Sequence, residues 1–227
     1  MKDITKQLSQ VWEFHQAFNI EQNLSMCLGT QQKRKLRLNL FAEELGEFTK
    51  ATYNNDHLEQ LDGVIDMIYV LCGSAQYHGL GNVFSEFVKG EHDVSDKPIE
   101  AFPIAFQLVF KTNNIEAKYI HGSITLGELL QFHIELMSLA LKLYNRLEKD
   151  GIVLPGSFEA AFDEVHNSNM SKLGKNGKPI YRADGKVLKS ELDYVKKFFT
   201  NTFGATKSNE YFRMFNSLNK QDLTSKL

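Results

Sequence analysis

Apolar residues recur every three or four positions along most of this chain, which is the period of amphipathic α-helices. Two neighbouring segments show it most clearly, with apolar stripes of Leu38, Phe41, Leu45 and Phe48 and then of Leu58, Leu61, Ile65, Ile68 and Cys72. The same period predicts helices over residues 4–20, 31–54, 57–78, 102–112, 125–149, 157–170 and 191–202. Residues 174–189 hold three glycines and a proline, which favours a β-hairpin or ordered loop. The pattern predicts an all-α helical bundle with a short C-terminal hairpin or ordered loop.

Acidic residues form a second row on each of the two clearest helices. On the first helix, Glu44 and Glu47 border the apolar stripe, while Glu43 points about 100° away from Glu44. On the second helix the row consists of Glu59, Asp62 and Asp66. If the helices pack antiparallel across the turn at residues 54–56, the two rows can face each other.

Asp66 lies within the apolar run 63–72, and no nearby Lys or Arg can pair its charge. A buried carboxylate costs several kcal/mol unless it is paired or binds a metal. Carboxylate oxygens are hard ligands, which suit Mg²⁺ or Mn²⁺ rather than zinc. The two rows therefore predict a divalent-cation site between the helices. The alternative is a solvated acidic face, which is favoured for Glu43 taken alone.

The spacing of these acids carries a family resemblance. Glu43-Glu44-x-x-Glu47, followed by Glu59-x-x-Asp62, resembles the signature of the MazG-like all-α nucleoside triphosphate pyrophosphohydrolases. That superfamily also holds the dimeric dUTPases and phosphoribosyl-ATP pyrophosphohydrolase. The run from residue 61 to 71 looks like the Asp-x-x-x-Asp version of bacterial and phage members.

A second part of the chain resembles the same subgroup. Residues 161–172 and 177–189 are similar to its further motif, so the resemblance covers roughly residues 8–82 and 158–190. It does not obviously cover residues 83–157, where compact members would pass almost directly to the second motif. We therefore expect one MazG-like domain over residues 1–227, with a helical insertion at 83–157 and a polar tail at 205–227.

The resemblance implies metal-dependent hydrolysis of (deoxy)nucleoside triphosphates at the α-phosphorus, which releases a nucleoside monophosphate and pyrophosphate for nucleotide-pool control. It implies Mg²⁺ or Mn²⁺, with more than one ion per site, and a homodimer or homotetramer. The expected metal ligands are Glu44, Glu47, Asp62 and Asp66, with Glu59 as a further candidate. The catalytic candidates are Glu43, Glu44 and Glu47, because a Glu bordering the site could take a proton from the attacking water.

Two further sets of residues are expected to bind the nucleotide. From the resemblance of the second motif, the phosphate-binding candidates are Ser168, Asn169, Lys172, Lys178 and Arg182. The alternative for them is a solvated basic loop. The base- and sugar-binding candidates are Trp12, His15, Asn19 and Asn39. A role in the core is the alternative for Trp12 and His15, and it is favoured for Phe14 and Phe18.

Composition and charge narrow the class of protein. The net charge of −2 does not suggest a nucleic-acid-binding surface, and no apolar run approaches the ~20 residues of a membrane span. The two cysteines, Cys27 and Cys72, lack metal-ligand spacing, so a reduced core thiol is expected at Cys72. Since the N-terminus also lacks a signal-peptide pattern, a soluble cytoplasmic protein follows.

Two other functions stay open. The first is hydrolysis of phosphoribosyl-ATP, which ranks lower because the long middle segment and the extra basic segment do not suggest that compact enzyme. The second is a non-catalytic helical nucleotide-binding or scaffold protein. The sequence does not decide the base and sugar preference, the choice between dimer and tetramer, or the role of residues 83–157. It also does not identify the general base or distinguish a bacterial from a phage origin.

Overall fold

The computed structural model describes residues 3–88 and 101–173. The regular elements in these two ranges are helices, so the predicted all-α class is confirmed. The helices are α1 (Thr5–Ala17), α2 (Gln31–Tyr53), α3 (His57–Tyr77), α4 (Gly81–Val88), α5 (Ala101–His121), α6 (Leu126–Lys149) and α7 (Phe158–Met170). The predicted hairpin at 174–189, the helix at 191–202 and the polar tail at 205–227 lie outside the described residues.

Helix α5 departs most from its predicted bounds. The predicted helix ended at residue 112, whereas α5 continues to His121. The reason is packing: Tyr119, one turn beyond the polar residues 113–114, is 1% exposed and holds the end of the helix in the core. The helix stops at Gly122, whose φ of +75° suits a residue without a Cβ. Helix α4 was not among the helices predicted from the periodicity of the sequence.

Two compact units divide the chain, Met1–Leu147 and Glu148–Leu227. In the first unit, α2 and α3 form a pair joined by the three residues 54–56, and such a short connection places helices antiparallel. Helix α1 and α4 pack on α3, and α5 packs on α2. In the described part of the second unit, α7 buries Phe158, Ala161 and Phe162.

The two predicted apolar stripes form the core of the α2–α3 pair. All four stripe residues of α2 are buried, as are four of the five in α3, while Leu58 near the start of α3 is half-buried. Two side-chain caps fix where these helices begin. Thr30 accepts a hydrogen bond from the Lys33 amide at 3.3 Å before α2, and Asp56 accepts one from the Glu59 amide at 3.2 Å before α3.

Both cysteines are free thiols, which agrees with the expectation of a reduced core residue at Cys72. Burial raises the pKa of Cys72 far above its usual range, so this thiol is inert at neutral pH. Among the described residues, no helix has both the length and the apolar character needed to span a membrane.

Candidate functional site

Helices α2 and α3 are in tight contact at Gly63. A Cβ on Gly63 would lie 3.1 Å from the backbone N and Cα and from the Cβ of Phe48, which is tighter than ordinary packing. Glu47 and Asp62 are the chain neighbours of these two residues. This contact therefore fixes which residues of the two acidic rows lie at similar heights along the helix pair.

The antiparallel pairing sets the heights of the acids along the helices. At 1.5 Å per residue, Glu47 and Asp62 differ in height by about 3 Å at the Gly63 contact. Glu44 and Asp66 lie about 6 and 4.5 Å from that contact in the same direction, so they are also nearly level. Glu59 lies about 6 Å away in the other direction, towards the turn. The fold brings the five predicted acids to adjacent positions of one helix pair, which we call the acidic strip.

Solvent reaches the acidic strip unevenly. Glu47 and Glu59 are exposed, whereas Glu44, Asp62 and Asp66 are half-buried. The expectation that Asp66 is fully buried was wrong, although its neighbours Ile65 and Met67 are 0% exposed. The acids of α3 occupy a side of that helix that keeps access to water, so the carboxylate of Asp66 does not carry the full cost of burial. Glu43 is exposed and points away, as its position on α2 predicted.

The donor chemistry of the acidic strip fits a hard divalent cation, because its five side chains offer carboxylate oxygens alone. In the described residues, no group of three or more His, Cys, Asp or Glu side chains is gathered closely enough to enclose a metal ion. Ligation would therefore need these side chains to rotate towards one another on fixed helices. The assignment of Glu44, Glu47, Glu59, Asp62 and Asp66 as ligands stays a prediction.

Burial increases along both helices away from the turn. On α2, Glu47 is exposed, Glu44 and Leu40 are half-buried, and Arg37 is buried. On α3, the acids are followed by half-buried Val70 and then by fully buried residues from Leu71 onwards. Arg37 lies seven residues from Glu44, a spacing that returns to nearly the same side of a helix. The acidic strip thus leads towards a buried cation, about 10 Å further along α2.

Arg37 and His15 meet at Gly73 on α3. A Cβ at Gly73 would lie 3.0 Å from His15 Nε2 and 3.3 Å from Arg37 Nη1, so the glycine makes room for both side chains. His15 is 2% exposed and Arg37 8% exposed. The guanidinium lies over the ring of Tyr77, 5.5 Å from its centroid. Neither Nε of Arg37 nor Nδ1 of His15 has a hydrogen-bond partner among the described residues.

Electrostatics keep His15 neutral. Burial, and secondarily the charge of Arg37, lowers the pKa of His15 to about 3. Burial also lowers the pKa of Arg37, while the phenols of Tyr119 and Tyr77 and the exposed carboxylate of Glu21 act in the opposite direction. The sequence analysis did not single out Arg37. The available signal was the seven-residue spacing from Arg37 to Glu44 and from Asp66 to Gly73.

The other base- and sugar-binding candidates are spread over α1 and α2. Trp12 lines a cleft of about 370 Å³ together with Asn23, Gln76 and Asn82, beside the C-terminal end of α3. Asn19 and Asn39 are exposed. The structure thus separates Trp12, on this cleft, from His15, which is buried against Arg37.

Phe14 and Phe18, which were expected in the core, are half-buried instead. The two rings lie 4.4 Å apart, and Phe14 makes an edge contact with Tyr69 at 5.7 Å. Tyr69 is one turn of α3 from Asp66. These rings are therefore nearer to the acidic strip, by their contacts, than Trp12 is.

The phosphate-binding candidates belong to the second unit. Ser168 and Asn169 lie on the last turn of α7, and the ammonium of Lys172, just beyond it, donates to Asn169 Oδ1. All three side chains are partly accessible to solvent. Lys178 and Arg182 lie outside the described residues. His166, on the same helix α7, is buried at 6% exposure.

A buried polar network beyond the acidic strip was also missed from the sequence. His78 Nδ1 is 2.9 Å from the carbonyl of Cys27, so it carries the proton, and Nε2 accepts from the Tyr119 hydroxyl at 2.8 Å. By the same logic, His133 Nδ1 donates to the Leu129 carbonyl and Nε2 accepts from Ser74 at 2.9 Å. Burial is the main cause that lowers the pKa of His78 to about 3 and of His133 to about 4. The network joins α3, α5 and α6 through uncharged groups.

Arg34 shows how a buried guanidinium is normally accommodated. It donates to the carbonyls of Leu28, Gly29 and Ile120 at 2.6–3.3 Å. The side chain therefore fastens the loop before α2 to the last turn of α5. Arg37, one turn further along α2, has no comparable set of acceptors in the described residues.

Comparison with known proteins agrees with the motif in the first part of the chain. Residues 11–87 match the sequence model of the phosphoribosyl-ATP pyrophosphohydrolase family. The matched stretch contains the whole acidic strip as well as His15, Arg37 and Gly73. It supports a domain of the MazG-like all-α nucleotide pyrophosphohydrolase superfamily over this stretch, while the bacterial or phage subgroup stays a prediction.

One relative is a viral protein. An uncharacterized protein of Acanthamoeba polyphaga mimivirus is 29% identical over 171 residues, which cover 64% of this chain and 61% of that protein. The chain therefore spans less than two thirds of the length of this relative. No solved structure shows a significant match to the chain.

Proposed function

We propose that this protein is a metal-dependent nucleoside triphosphate pyrophosphohydrolase, which converts (deoxy)nucleoside triphosphates into nucleoside monophosphates and pyrophosphate. The observation that carries the proposal is the tight contact between α2 and α3 at Gly63 and Phe48, which have acids as chain neighbours and lie within the stretch that matches a pyrophosphohydrolase family. A triphosphate repels carboxylates, so an acidic site can take it only with cations between them.

In the proposed reaction the chain's own residues do three things. The half-buried Glu44, Asp62 and Asp66 would hold Mg²⁺ or Mn²⁺ ions against the substrate. Of these, Glu44 and Asp66 lie at nearly the same height along the helix pair. Bound ions would polarise the phosphoryl oxygens and offset the charge of the departing pyrophosphate. Glu47 is exposed beside them and can take the proton of a water that attacks the α-phosphorus, with Glu43 as the alternative base.

Phosphoribosyl-ATP hydrolysis is a second candidate because the matching family carries that name. Both reactions release pyrophosphate from a nucleotide triphosphate group, so the acidic strip serves either. The substrates differ in the ribosyl group attached to the adenine ring. A non-catalytic nucleotide-binding or scaffold protein is the third candidate, and turnover separates it from the other two.

We also propose that the active form is a homodimer or homotetramer in the cytoplasm, acting on nucleotide pools. Large apolar side chains remain exposed on the first unit, Tyr53 at 85% and Leu24 at 76%. Burial of such residues favours association. Light scattering of the purified chain measures the assembly directly, and a monomer at micromolar concentration would contradict this part of the proposal.

Product analysis tests the activity. The purified chain is incubated with each common NTP and dNTP and with phosphoribosyl-ATP, in Mg²⁺ or Mn²⁺, and the products are separated by ion exchange. We expect monophosphate and pyrophosphate without diphosphate, and no product when EDTA is present. Fastest turnover of phosphoribosyl-ATP would favour the second candidate. An absence of any metal-dependent product would favour the scaffold.

A further inference from the structure

We propose that Arg37 and His15 form an oxyanion-binding site at the buried end of the acidic strip, suited to a phosphoryl group. This inference rests on the proposed function in one respect, because the phosphate tail of the substrate is one source of the anion. Free pyrophosphate or orthophosphate is the other source, and it offers the same oxygens.

The first argument is the unmet bonding capacity of Arg37. A guanidinium has five N–H donors in a fixed plane, and burial removes the water that would accept from them. In the described residues its Nε has no acceptor, and the contact that it makes is with the face of Tyr77. An aromatic face attracts a cation but accepts no hydrogen bonds in the guanidinium plane. An oxyanion supplies both the opposite charge and the acceptors.

The second argument is that a neighbouring group is unmet in the same way. His15 is 2% exposed, and its Nδ1 also lacks a partner among the described residues. Gly73 allows Nε2 of His15 and Nη1 of Arg37 to converge on one point of α3. A neutral imidazole can donate one N–H to an anion that Arg37 holds by charge. The two side chains that meet at Gly73 thus each keep one atom, Arg37 Nε and His15 Nδ1, without a partner among the described residues.

The third argument is space and access. A cavity of about 10 Å³ lies beside Arg37 and is bordered by Val70, Ser74 and Tyr119. This volume holds one water molecule or one phosphoryl oxygen. Val70, which borders the cavity, is half-buried and lies one turn of α3 beyond Asp66, so the cavity lies on the same side of α3 as the acidic strip. A phosphate chain bound along the strip would place its end at Arg37.

The test begins with the wild-type chain and no metal. Thermal unfolding is followed in EDTA while orthophosphate, pyrophosphate or tripolyphosphate is titrated at constant ionic strength. We expect a saturable rise of Tm, larger for the longer phosphates and absent with chloride. The lack of any saturable rise would overturn the proposal.

The decisive variant is Arg37→Met, compared with Lys35→Gln, which removes a charge from an exposed position of the same helix. Without anion, Arg37→Met should unfold at or above the wild-type temperature, because an unpartnered buried charge has been removed. It should lose the phosphate-dependent rise, whereas Lys35→Gln keeps it. A persistent rise in Arg37→Met, or a Tm well below wild type without anion, would show a structural role instead.

Gly73→Ala keeps the test open if Arg37→Met does not fold. The added methyl occupies the point where His15 and Arg37 converge, so it displaces the two side chains without removing either of them. We expect at least a tenfold weaker affinity for pyrophosphate, in line with the loss of a charge-assisted hydrogen bond. Unchanged affinity would contradict the site.

Nucleotide turnover then distinguishes the two sources of the anion. If the substrate's phosphate tail occupies the site, Arg37→Met raises KM about tenfold or more while kcat changes little, and Arg37→Lys recovers part of the loss. If the site serves the product, KM is unchanged and inhibition by pyrophosphate weakens. If the chain binds phosphate but hydrolyses no nucleotide, the oxyanion site is supported and the proposed function is rejected.

Discussion

At the scale of single residues, the described part of the chain shows a separation of roles between acids and cations. The half-buried acids Asp62 and Asp66 lie on helix positions that keep partial access to solvent, where water can hydrate a carboxylate. The buried Arg37 has no such access. The position of a residue along the α2–α3 pair therefore indicates its role: the accessible acids can bind metal ions, whereas the buried Arg37 needs an anion.

Replacing Asp66 by Asn tests the metal-ligand assignment. We expect turnover in Mg²⁺ to fall by more than about 100-fold, since even outer-shell partners of a metal are worth 10–100-fold. Stability should be unchanged or slightly higher, because one charge leaves a crowded acidic strip. The product assay and thermal unfolding measure the two effects. Glu116→Gln on the exposed side of α5 is the control, and near-normal activity of Asp66→Asn would reject the assignment.

Glu47 offers the same test at the exposed edge of the strip. Glu47→Gln should also abolish turnover, whether the residue ligates a metal or accepts the proton of the attacking water. The two roles differ in metal dependence: loss of a ligand raises the Mg²⁺ concentration at half-maximal rate, whereas loss of a base lowers kcat alone. A variant with wild-type kcat and metal dependence would exclude both roles.

Lys172 tests the phosphate-binding prediction in the second unit. Lys172→Ala should raise KM for the nucleotide with little change in kcat, because a charge that holds phosphate in both ground and transition states affects binding. Lys149→Ala, which removes an exposed lysine at the end of α6, is the matched control. Equal KM values in the two variants would mean that Lys172 does not bind phosphate and belongs to a solvated basic loop.

At the scale of elements, the Gly63 contact determines the spacing of α2 and α3. Its backbone lies so close to Phe48 that any side chain would force the helices apart, and with them the acids on both sides. A glycine inside a helix usually costs stability, so its presence here is explained by the close approach that it permits.

Gly63→Ala should therefore destabilise the fold by about 1–3 kcal/mol and also reduce turnover, because an inserted methyl overpacks the contact. Gly46→Ala is a matched control on α2, since nothing lies within 4 Å of the Cβ it would add. There we expect about 0.5–1 kcal/mol of added stability from better helix propensity. Urea unfolding of the two variants measures both changes, and equal effects would mean that the Gly63 contact is not tight.

The elements were predictable to different degrees, for physical reasons. The acids and the core of α2 and α3 follow from periodicity, because one face of each helix must be apolar. The end of α5 was missed because it depends on burial of Tyr119 by other helices. Arg37 and His15 were not paired in advance, since a shared position at Gly73 arises from three helices that are distant in the sequence. Half-burial of Asp66 likewise depends on which side of α3 its neighbours leave open.

At the scale of the whole molecule, buried uncharged histidines recur in the first unit. His15, His78 and His133 have pKa values lowered to about 3, 3 and 4, chiefly by burial. In the unfolded chain each has an ordinary pKa of about 6.5. Between these values the unfolded state binds more protons than the folded state, so stability rises with pH in this window and is complete above it.

We therefore expect the free energy of unfolding to fall as pH drops below about 6.5, by up to about 1.4 kcal/mol per pH unit for each of the three histidines. Urea unfolding at intervals from pH 7.5 to 4.5 gives the slope. His15→Leu should reduce that slope by about one proton. A slope that His15→Leu does not alter would mean that His15 is protonated in the folded state.

The three carbonyls held by Arg34 also impose an order on biosynthesis. Two of its acceptors, in Leu28 and Gly29, precede it in the chain, but the third belongs to Ile120, 86 residues later. At about 5–20 residues per second, a ribosome needs about 4–17 s to add that stretch. During this interval the nascent α2–α3 pair can already display its acids, while Arg34 has to stay hydrated. The residues of the acidic strip are thus made early, whereas the anchoring of the loop before α2 waits for translation of α5.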